Sequence, residues 1–286
     1  MWPESLKREF QQLCKGTLLF EEPMRNHTWF GIGGSADAYV APADVDDLQR
    51  ICAFAVSRGL LLFPLGGGSN TLFSDAGFRG VVIRMTKNFA RMELQEHRGV
   101  AESGMNLLTF AKRCAECHAT GMEFGCGIPG TIGGAVKGNA GAFGVNTGDR
   151  LIWFEGMMVT TGEITRWRRE EVPFRYRYSG IADDCVIVKA CFQLGEGKRE
   201  EIEETMRVFI EQKAASQPLS EESAGCIFKN PEGYSAGQLI DRTGCKGMSI
   251  GGAVVSERHA NFIVNRGGAS SDDVLRLIDT VRGRVR

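Results

Sequence analysis

The stretch GCGIPGTIGGAVKGNAGAFGVNTG, from Gly125 to Gly148, contains nine glycines in 24 residues, and the predicted fold depends on it. Glycine tolerates a positive φ and lets the main chain approach a ligand without a Cβ in the way. Successive backbone N–H groups can also bind an anion. This density of glycine therefore predicts main chain laid against a flat or anionic ligand.

Two other glycine clusters precede this stretch: NHTWFGIGG at 26–34 and LGGGSN at 65–70. LGGGSN follows the apolar segment 60–64, whose length and composition are typical of a strand. A glycine turn at a strand end offers several N–H groups to one phosphate, and Ser69 and Asn70 add side-chain donors. A plain tight turn is the alternative for LGGGSN alone. We interpret the three clusters together as parts of one flavin site.

Two familiar nucleotide-binding motifs fit these clusters poorly. Residues 125–130 match the dinucleotide fingerprint GxGxxG, but that fingerprint opens a glycine-poor helix, and Gly133, Gly134 and Gly138 follow here. Residues 31–36 resemble the GxGxxA variant without a strand–turn–helix unit around them. LGGGSN lacks the Gly-Lys-Ser/Thr of a Walker A loop. We therefore favour neither a Rossmann unit nor a P-loop.

The composition is that of an ordinary globular protein of one large or two to three small domains, with 286 residues, 43% hydrophobic and 24% charged. A net charge of -1 gives no electrostatic argument for a nucleic-acid or membrane partner. The N-terminal MWPESLKREFQQLCKG lacks a signal peptide's apolar core, and no run approaches the about 18 apolar residues that span a bilayer. We expect a cytoplasmic monomer.

The cysteines and histidines do not predict a metal site. Nine cysteines is an odd number in a chain too long to need disulfides, so most are expected to be reduced core thiols. Cys114 and Cys117 form a CxxC, but they lie in a helical pattern with no second pair at zinc spacing, which favours packing. Metal-ligand spacing is also missing from the histidines: His27, His97, His118 and His259.

The hydrophobic pattern alternates helices and strands. A change in composition suggests a domain boundary near 194–198, and the remaining roughly 90 residues suffice for a small domain. Predicted strands lie at 37–41, 60–64, 80–85, 185–194, 225–228, 252–255 and 261–265, with further strands around a turn at 162–163. Predicted helices follow the N-terminal one at 45–56 (capped by Asp44, closed by Gly59), 106–120 (stopped by Gly121), 198–216, 235–243 and from Ser270 or Ser271 onward.

Seven motifs occur in order along the chain: NHTWFGIGG, LGGGSN, GIPGTIGGAVKGNAGA, FRYRYSG, SAGCIFKNP, SAGQLID and GGAVVSERHANFIVN. Together they resemble the UDP-N-acetylmuramate dehydrogenase family, also called UDP-N-acetylenolpyruvoylglucosamine reductases. The resemblance implies an α+β fold: a two-domain FAD-binding module of the vanillyl-alcohol-oxidase (PCMH) type at 1–86 and 87–195, plus a small C-terminal α/β substrate-binding domain at 196–286. It also implies a flavoenzyme of peptidoglycan precursor synthesis that oxidises NADPH and reduces the enolpyruvyl ether of a UDP-sugar.

The resemblance assigns the cofactor and substrate contacts residue by residue. Residues 66–70 would cradle the FAD pyrophosphate, and the glycine-rich stretch would line the isoalloxazine. The implied cofactor residues are Asn26, Thr28, Gly33, Gly66, Gly67, Gly68, Ser69, Asn70, Gly127, Ile128, Pro129, Gly130, Thr131, Gly134, Asn139 and Gly141. The implied substrate residues are Tyr176, Lys213, Asn230 and Gln238, although a lysine in a charged helix is by default a solvated one.

Arg177 matches the family's position for a cation that stabilises negative charge on the substrate. A guanidinium is permanently charged and binds a carboxylate through a bidentate fork. Arg175 is its nearest competitor, and in an extended chain the two would share a face by period two. Only the motif match favours Arg177, because isolated arginines are usually surface residues.

Cys226 stands where the family uses a serine, in SAGS, as the proton donor. A thiol, with an ordinary pKa of about 8.5, is mostly protonated at neutral pH and is a stronger acid than a hydroxyl, so a cysteine can fill the same role. A small buried core cysteine is the alternative. The short separation between Arg177 and Cys226 is similar to that of the compact subclass, which lacks an inserted tyrosine-bearing loop.

The family also carries a catalytic glutamate just after its C-terminal helix. This sequence ends within that helix at Arg286, so either the chain is truncated or the catalytic set is incomplete, and we assign no glutamate. Asp272 and Asp273 begin the helix and are expected to be caps. Two other functions stay open: a sugar or hydroxy-acid oxidase on the same FAD scaffold, and a non-catalytic FAD or UDP-sugar binding protein.

Overall fold

The computed structural model describes residues 2–286, which form eight α-helices and nineteen strands. The helices are α1 (Glu4–Leu13), α2 (Val45–Ser57), α3 (Leu107–Glu116), α4 (Ile132–Gly138), α5 (Thr147–Arg150), α6 (Arg199–Ser216), α7 (Ala236–Arg242) and α8 (Ser271–Val285). The strands are β1 (Thr17–Pro23), β2 (Ser35–Ala41), β3 (Leu61–Leu65), β4 (Phe78–Arg84), β5 (Met92–Gln95), β6 (Arg98–Glu102), β7 (Ala119–Thr120), β8 (Gly141–Ala142), β9 (Val145–Asn146), β10 (Leu151–Met158), β11 (Ile164–Arg168), β12 (Phe174–Arg175), β13 (Tyr178–Ser179), β14 (Cys185–Gln193), β15 (Gly195–Glu196), β16 (Ser223–Cys226), β17 (Ser249–Ile250), β18 (Ala253–Val255) and β19 (Phe262–Asn265).

The chain divides into two compact units, each made of separate segments. The first unit comprises residues 2–21, Asp37–Gly67 and Arg79–Glu211. The second comprises Glu22–Ala36, Gly68–Phe78 and Gln212–Arg286. The sequence predicts three domains, at 1–86, 87–195 and 196–286. That division stays a prediction, because the two compact units have other boundaries and do not test it.

The first unit contains a four-stranded sheet in the order β1-β2-β4-β3, in which β3 and β4 run parallel. Helix α2 follows β2 and begins as predicted, since the Asp44 carboxylate accepts a hydrogen bond of 2.7 Å from the Asp47 N–H. The chain leaves α2 through Gly59 at φ +62°. The apolar face of α2, with Leu48 and Ile51, is fully buried in the same core as Val81 of β4.

The same unit contains a five-stranded antiparallel sheet in the order β11-β10-β14-β6-β5. Its central strand, β14, is buried over most of its length, as the continuous apolar run CVIVKACFQ predicts. The prediction for α3 was wrong at its end, because the helix stops at Glu116 and not near residue 120. His118 takes a φ of +57°, which no α-helix allows, and β7 then pairs with β15.

The second unit contains a four-stranded antiparallel sheet in the order β16-β19-β18-β17, packed with α7 and α8. Its core includes Ile240 of α7, Val274 and Leu277 of α8, and Phe30. Of the two predicted caps, Ser270 and Ser271, it is Ser270 that caps α8, in a capping box with Asp273. Strand β16 begins and ends two residues earlier than the predicted 225–228.

Candidate active site

In the first unit, the start of LGGGSN packs directly on the glycine-rich stretch. A Cβ added at Gly66 would lie 2.5 Å from Thr131 Oγ1, and one added at Gly67 would lie 2.9 Å from Gly130 Cα. A side chain at Gly66 would displace the Thr131 hydroxyl, and one at Gly67 would displace main chain. The structure brings together the two motifs that the sequence assigned to one site.

The glycine-rich stretch is fixed by main-chain hydrogen bonds rather than by a long helix. Leu107 N–H donates to Gly130 O at 3.1 Å, and Gly133 N–H donates to Ser103 O at 2.8 Å. Helix α4 has seven residues and follows a 3₁₀-helix, so the strand and long helix that a Rossmann unit needs do not flank this stretch. The prediction against the dinucleotide fingerprint is confirmed.

The remaining predicted cofactor residues of this stretch differ in exposure. Gly127 and Ile128 are half-buried, Pro129 and Gly134 are exposed, and Gly141 lies in the β8–β9 hairpin. The glycines among them, like Gly66 and Gly67, have no side chain. Main chain without side chains is what the flat ring and the phosphates of a flavin dinucleotide require for close approach.

In the second unit, the NHTWFGIGG loop packs on the other part of LGGGSN. Trp29 N–H donates to Gly68 O at 3.0 Å. Gly68 has a φ of +71°, and a Cβ there would lie 2.1 Å from His27 O, so this position also requires glycine. After it, Ser69 is half-buried and Asn70 is exposed.

The predicted cofactor residues of the NHTWFGIGG loop make hydrogen bonds and close contacts, both within the loop and to residues outside it. Thr28 Oγ1 donates to Ile32 O at 3.2 Å, and Asn26 Nδ2 donates to Glu22 Oε1 at 3.3 Å. Gly33 has a φ of +137°, and a Cβ there would lie 2.7 Å from the Cβ of Phe73. These residues shape the loop, whatever they bind.

The arginine hairpin, residues 174–179, consists of β12, β13 and the turn between them. Arg177 lies in that turn with a φ of +52°, in the left-handed region that residues other than glycine rarely occupy. Its Nη2 donates to Gly141 O at 2.6 Å. The expected shared face of Arg175 and Arg177 was wrong, because the chain is not extended there: Arg177 is half-buried, whereas Arg175 is exposed.

The cysteine segment, residues 223–228, carries Cys226 at the end of β16. Cys226 is exposed, so the alternative of a buried core thiol is wrong. Gly225 before it has a φ of +78°, and the pairing of β16 with β19 changes register between Ser223 and Cys226. The backbone is thus bent at the position that presents the thiol.

Asn261 holds the end of the cysteine segment and was not singled out from the sequence. Its side chain is 3% exposed. Nδ2 donates to Phe228 O, and Oδ1 accepts from Phe228 N–H, both at 2.8 Å. These bonds replace strand pairing just beyond β16, which explains why the strand ends early. The sequence feature that could have indicated this role is an asparagine between Ala260 and Phe262, at the start of a predicted strand.

The predicted substrate residues lie in three places. Asn230 Oδ1 accepts from Ala236 N–H at 2.9 Å, next to exposed Gln238 in the first turn of α7. Lys213 is half-buried in the last turn of α6. Tyr176, in the arginine hairpin, is 48% exposed. The structure thus joins Asn230 to the helix that carries Gln238.

No cluster of three or more His, Cys, Asp or Glu side chains able to hold a metal ion occurs in residues 2–286. In the CxxC, Cys114 is buried, which raises the pKa of its thiol to about 12, and Cys117 is exposed. Burial lowers the pKa of His259, whose Nδ1 accepts from Asn261 N–H at 3.2 Å. A neutral imidazole in that contact agrees with a structural role.

Over the described part of the chain, none of the helices is both long enough and apolar enough to cross a membrane.

Comparison with known proteins identifies the fold and the family. Residues 36–168 match an FAD binding domain, and residues 217–286 match the C-terminal domain of UDP-N-acetylenolpyruvoylglucosamine reductase. An alkyldihydroxyacetonephosphate synthase superposes with a TM-score of 0.52 at 15% identity, covering 68% of this chain and 41% of that one, which bears on the fold alone. The fold is α+β, with an FAD-binding module of the vanillyl-alcohol-oxidase (PCMH) type, as predicted.

Closer relatives cover nearly the whole chain. The UDP-N-acetylenolpyruvoylglucosamine reductase of Heliobacterium modesticaldum is 43% identical over 273 residues, 95% of this chain and 87% of the relative. The crystal structure of UDP-N-acetylenolpyruvylglucosamine reductase (MurB) from Thermus caldophilus superposes with a TM-score of 0.82 at 33% identity, covering 94% of this chain and 95% of that one. The chain therefore belongs to the family of FAD-containing UDP-N-acetylenolpyruvoylglucosamine reductases.

Proposed function

We propose that this protein reduces UDP-N-acetylglucosamine enolpyruvate to UDP-N-acetylmuramate with electrons from NADPH. The family membership supports the reaction class, and the bond from Arg177 Nη2 to Gly141 O carries the assignment of the chemistry to this chain's residues. It attaches the arginine to the same glycine-rich stretch that would hold the cofactor. FAD bound there would supply the hydride that is added to the β-carbon of the alkene.

Arg177 would stabilise the negative charge that develops on the α-carbon and the carboxylate. A guanidinium acts most strongly when it is held in place before the charge appears, because no reorganisation is then needed. The bond to Gly141 O and the half-buried position of Arg177 support this role. The remaining N–H groups are available for a bidentate contact with a carboxylate.

Cys226 would donate the proton to the α-carbon. Its S–H bond breaks as the C–H bond forms, and the thiolate left behind takes a proton from water. The exposure of Cys226 supports this cycle, because water can reach the sulfur. Hydride and proton together convert the enolpyruvyl ether to the lactyl ether, and NADPH leaves as NADP⁺.

The remaining predicted residues are proposed to bind ligands. Residues 66–70, Gly127, Ile128, Pro129, Gly130, Thr131, Gly134 and Gly141 would contact FAD. Asn26, Thr28 and Gly33 would complete the cofactor site through the loop they shape. Tyr176, Lys213, Asn230 and Gln238 would contact the UDP-sugar.

An anaerobic half-reaction experiment tests the function. Purified protein is reconstituted with FAD, bleached with one equivalent of NADPH, and then mixed with UDP-N-acetylglucosamine enolpyruvate. We expect the flavin absorbance to return only with the enolpyruvyl substrate. Recolouring by oxygen but not by this substrate would indicate an oxidase, and failure of NADPH to bleach the flavin would contradict the proposed reductase.

A further inference from the structure

We infer that Asn139 is a positioning residue that holds the arginine hairpin in the shape required by Arg177. This inference rests on the role of Arg177 in the proposed function. Asn139 directly follows α4 and has φ +43° and ψ +54°. Asparagine is one of the few residues that tolerate this left-handed conformation. The residue is 4% exposed, so its side-chain amide is enclosed by protein.

The amide of Asn139 joins two separate pieces of main chain. Its Nδ2 donates to Arg175 O at 2.7 Å. Its Oδ1 accepts from Gly148 N–H at 2.8 Å. The first bond is made two residues before Arg177, on the strand that leads into the turn. Asn139 therefore fixes the backbone of the hairpin and not the guanidinium itself.

The arginine hairpin needs such a support because it is short and strained. Only two residue pairs join its strands, Phe174 with Ser179 and Arg175 with Tyr178. The turn holds Arg177 at φ +52°, which costs energy for a residue with a Cβ. Without outside bonds the turn is free to relax to a negative φ, and the guanidinium would then leave Gly141 O.

A second bond supports the opposite strand of the arginine hairpin. Ser179, 6% exposed, donates from Oγ to Lys137 O at 2.5 Å. Lys137 belongs to the last turn of α4, and Asn139 follows that helix. Both strands of the hairpin are thus tied to the end of α4, one on each side of the turn. With both strands bonded to α4 or to the residue after it, the turn between them cannot easily relax.

The resemblance assigned Asn139 to the cofactor, and its surroundings favour a different role for the side chain. Two bonds to the protein main chain already use one donor and the acceptor of the amide. Its burial leaves little of it accessible to a ligand. The two roles predict different defects: a cofactor contact affects FAD retention, whereas a positioning residue affects only the step that needs Arg177.

The test uses the FAD-loaded protein and measures both half-reactions. Asn139→Asp keeps the acceptor for Gly148 N–H, removes the donor to Arg175 O and sets a carboxylate against that carbonyl. Asn139→Gly keeps access to positive φ and removes the amide. Asn88→Asp is the matched control, since Asn88 Nδ2 donates to Pro42 O at 2.9 Å elsewhere in the first unit.

We expect both Asn139 variants to retain FAD and to be bleached by NADPH within about twofold of the wild-type rate. Reoxidation by UDP-N-acetylglucosamine enolpyruvate should slow by about ten- to a hundredfold, because a misplacement of about 1 Å costs up to that much. Asn88→Asp should match the wild type. In the Arg177→Ala background, Asn139→Asp should slow reoxidation no further, since both changes remove the same interaction.

Three results would overturn the inference. Reoxidation of both Asn139 variants at the wild-type rate would remove Asn139 from catalysis. Loss of FAD, or equally slowed bleaching, would assign the side chain to the cofactor. Additive losses in the double variant would show that Asn139 acts independently of Arg177. A wild-type protein that is not recoloured by the substrate overturns the proposed function itself, which distinguishes the two failures.

Discussion

The arginine hairpin and the cysteine segment position their proposed catalytic side chains in different ways. Each places a proposed catalytic residue, and each is held by a buried asparagine whose amide bonds to main chain. In the hairpin the catalytic side chain is itself bonded, from Arg177 Nη2 to Gly141 O. In the cysteine segment, Cys226 is exposed, and the side-chain bonds of Asn261 to Phe228 fix the backbone beyond it.

The difference follows from what each residue is proposed to do. A cation stabilises a developing charge best when its position is fixed in advance. A proton donor must also recover its proton after each turnover, and for that it needs contact with water. Rigid attachment suits Arg177, and exposure suits Cys226. The comparison predicts that reoxidation depends most on having a proton donor at position 226. At position 177 it predicts that the shape and placement of the cation matter as well as its charge.

The largest effect should come from removing the proton donor. Cys226→Ala should slow reoxidation of the flavin by substrate by about 10²- to 10⁴-fold, the typical contribution of a general acid. Bleaching by NADPH should be unchanged, because it does not need this proton. Stopped-flow absorbance of the two half-reactions measures both. Unchanged turnover would remove Cys226 from the mechanism.

Cys226→Ser is the matched control for this first experiment, because it replaces the thiol by the hydroxyl that the family motif carries. It should retain far more activity than Cys226→Ala. The same stopped-flow measurement compares the two variants. Equal losses of reoxidation in Cys226→Ser and Cys226→Ala would contradict the role of a proton donor at this position.

A smaller effect is expected when the charge at 177 is kept and its geometry is changed. Arg177→Lys preserves a cation but loses the planar fork, so we expect reoxidation to slow by about ten- to a hundredfold. Arg175→Lys is the control, since Arg175 is exposed and its contribution to the hairpin is its carbonyl. Both rates come from the same stopped-flow measurement. Equal losses in the two variants would contradict the assignment of Arg177.

The same comparison shows what the sequence could predict. Local rules were sufficient where one residue determines the structure, as at the Asp44 and Ser270 caps, because a capping bond forms within four residues. They failed at Arg177, where alternation assumes an extended chain and the turn is held from outside by Asn139. They also could not tell exposed from buried for Cys226, because burial depends on partners distant in sequence.

The glycine-rich motifs were only partly predictable from the sequence. The density of glycine in LGGGSN and in the 125–148 stretch predicted main chain close to a ligand, and the structure shows in addition that Gly66 and Gly67 lie against Thr131 and Gly130. The sequence alone did not contain the partner of each glycine. That pairing joins segments about sixty residues apart in the chain, which local sequence rules cannot relate.

The smallest effect should appear at Asn261, and it tests whether the two asparagines are equivalent. Asn261→Asp removes the donor to Phe228 O and puts a carboxylate against that carbonyl in a buried site, which should lower the free energy of unfolding by about 1–3 kcal/mol. Reoxidation should slow less than tenfold, because an exposed proton donor needs a less exact position than a cation that must be fixed before the charge develops. Thermal unfolding and stopped-flow absorbance measure the two effects.

Asn139→Asp is the comparison for this last variant, since it makes the same chemical change at the other support. A larger loss of reoxidation at Asn261 than at Asn139 would contradict the distinction between the segments. It would mean that the position of the thiol is controlled as strictly as that of the guanidinium. A loss of stability with little loss of rate would instead show that Asn261 supports the fold, and that proton donation by the exposed Cys226 tolerates a displacement of its backbone.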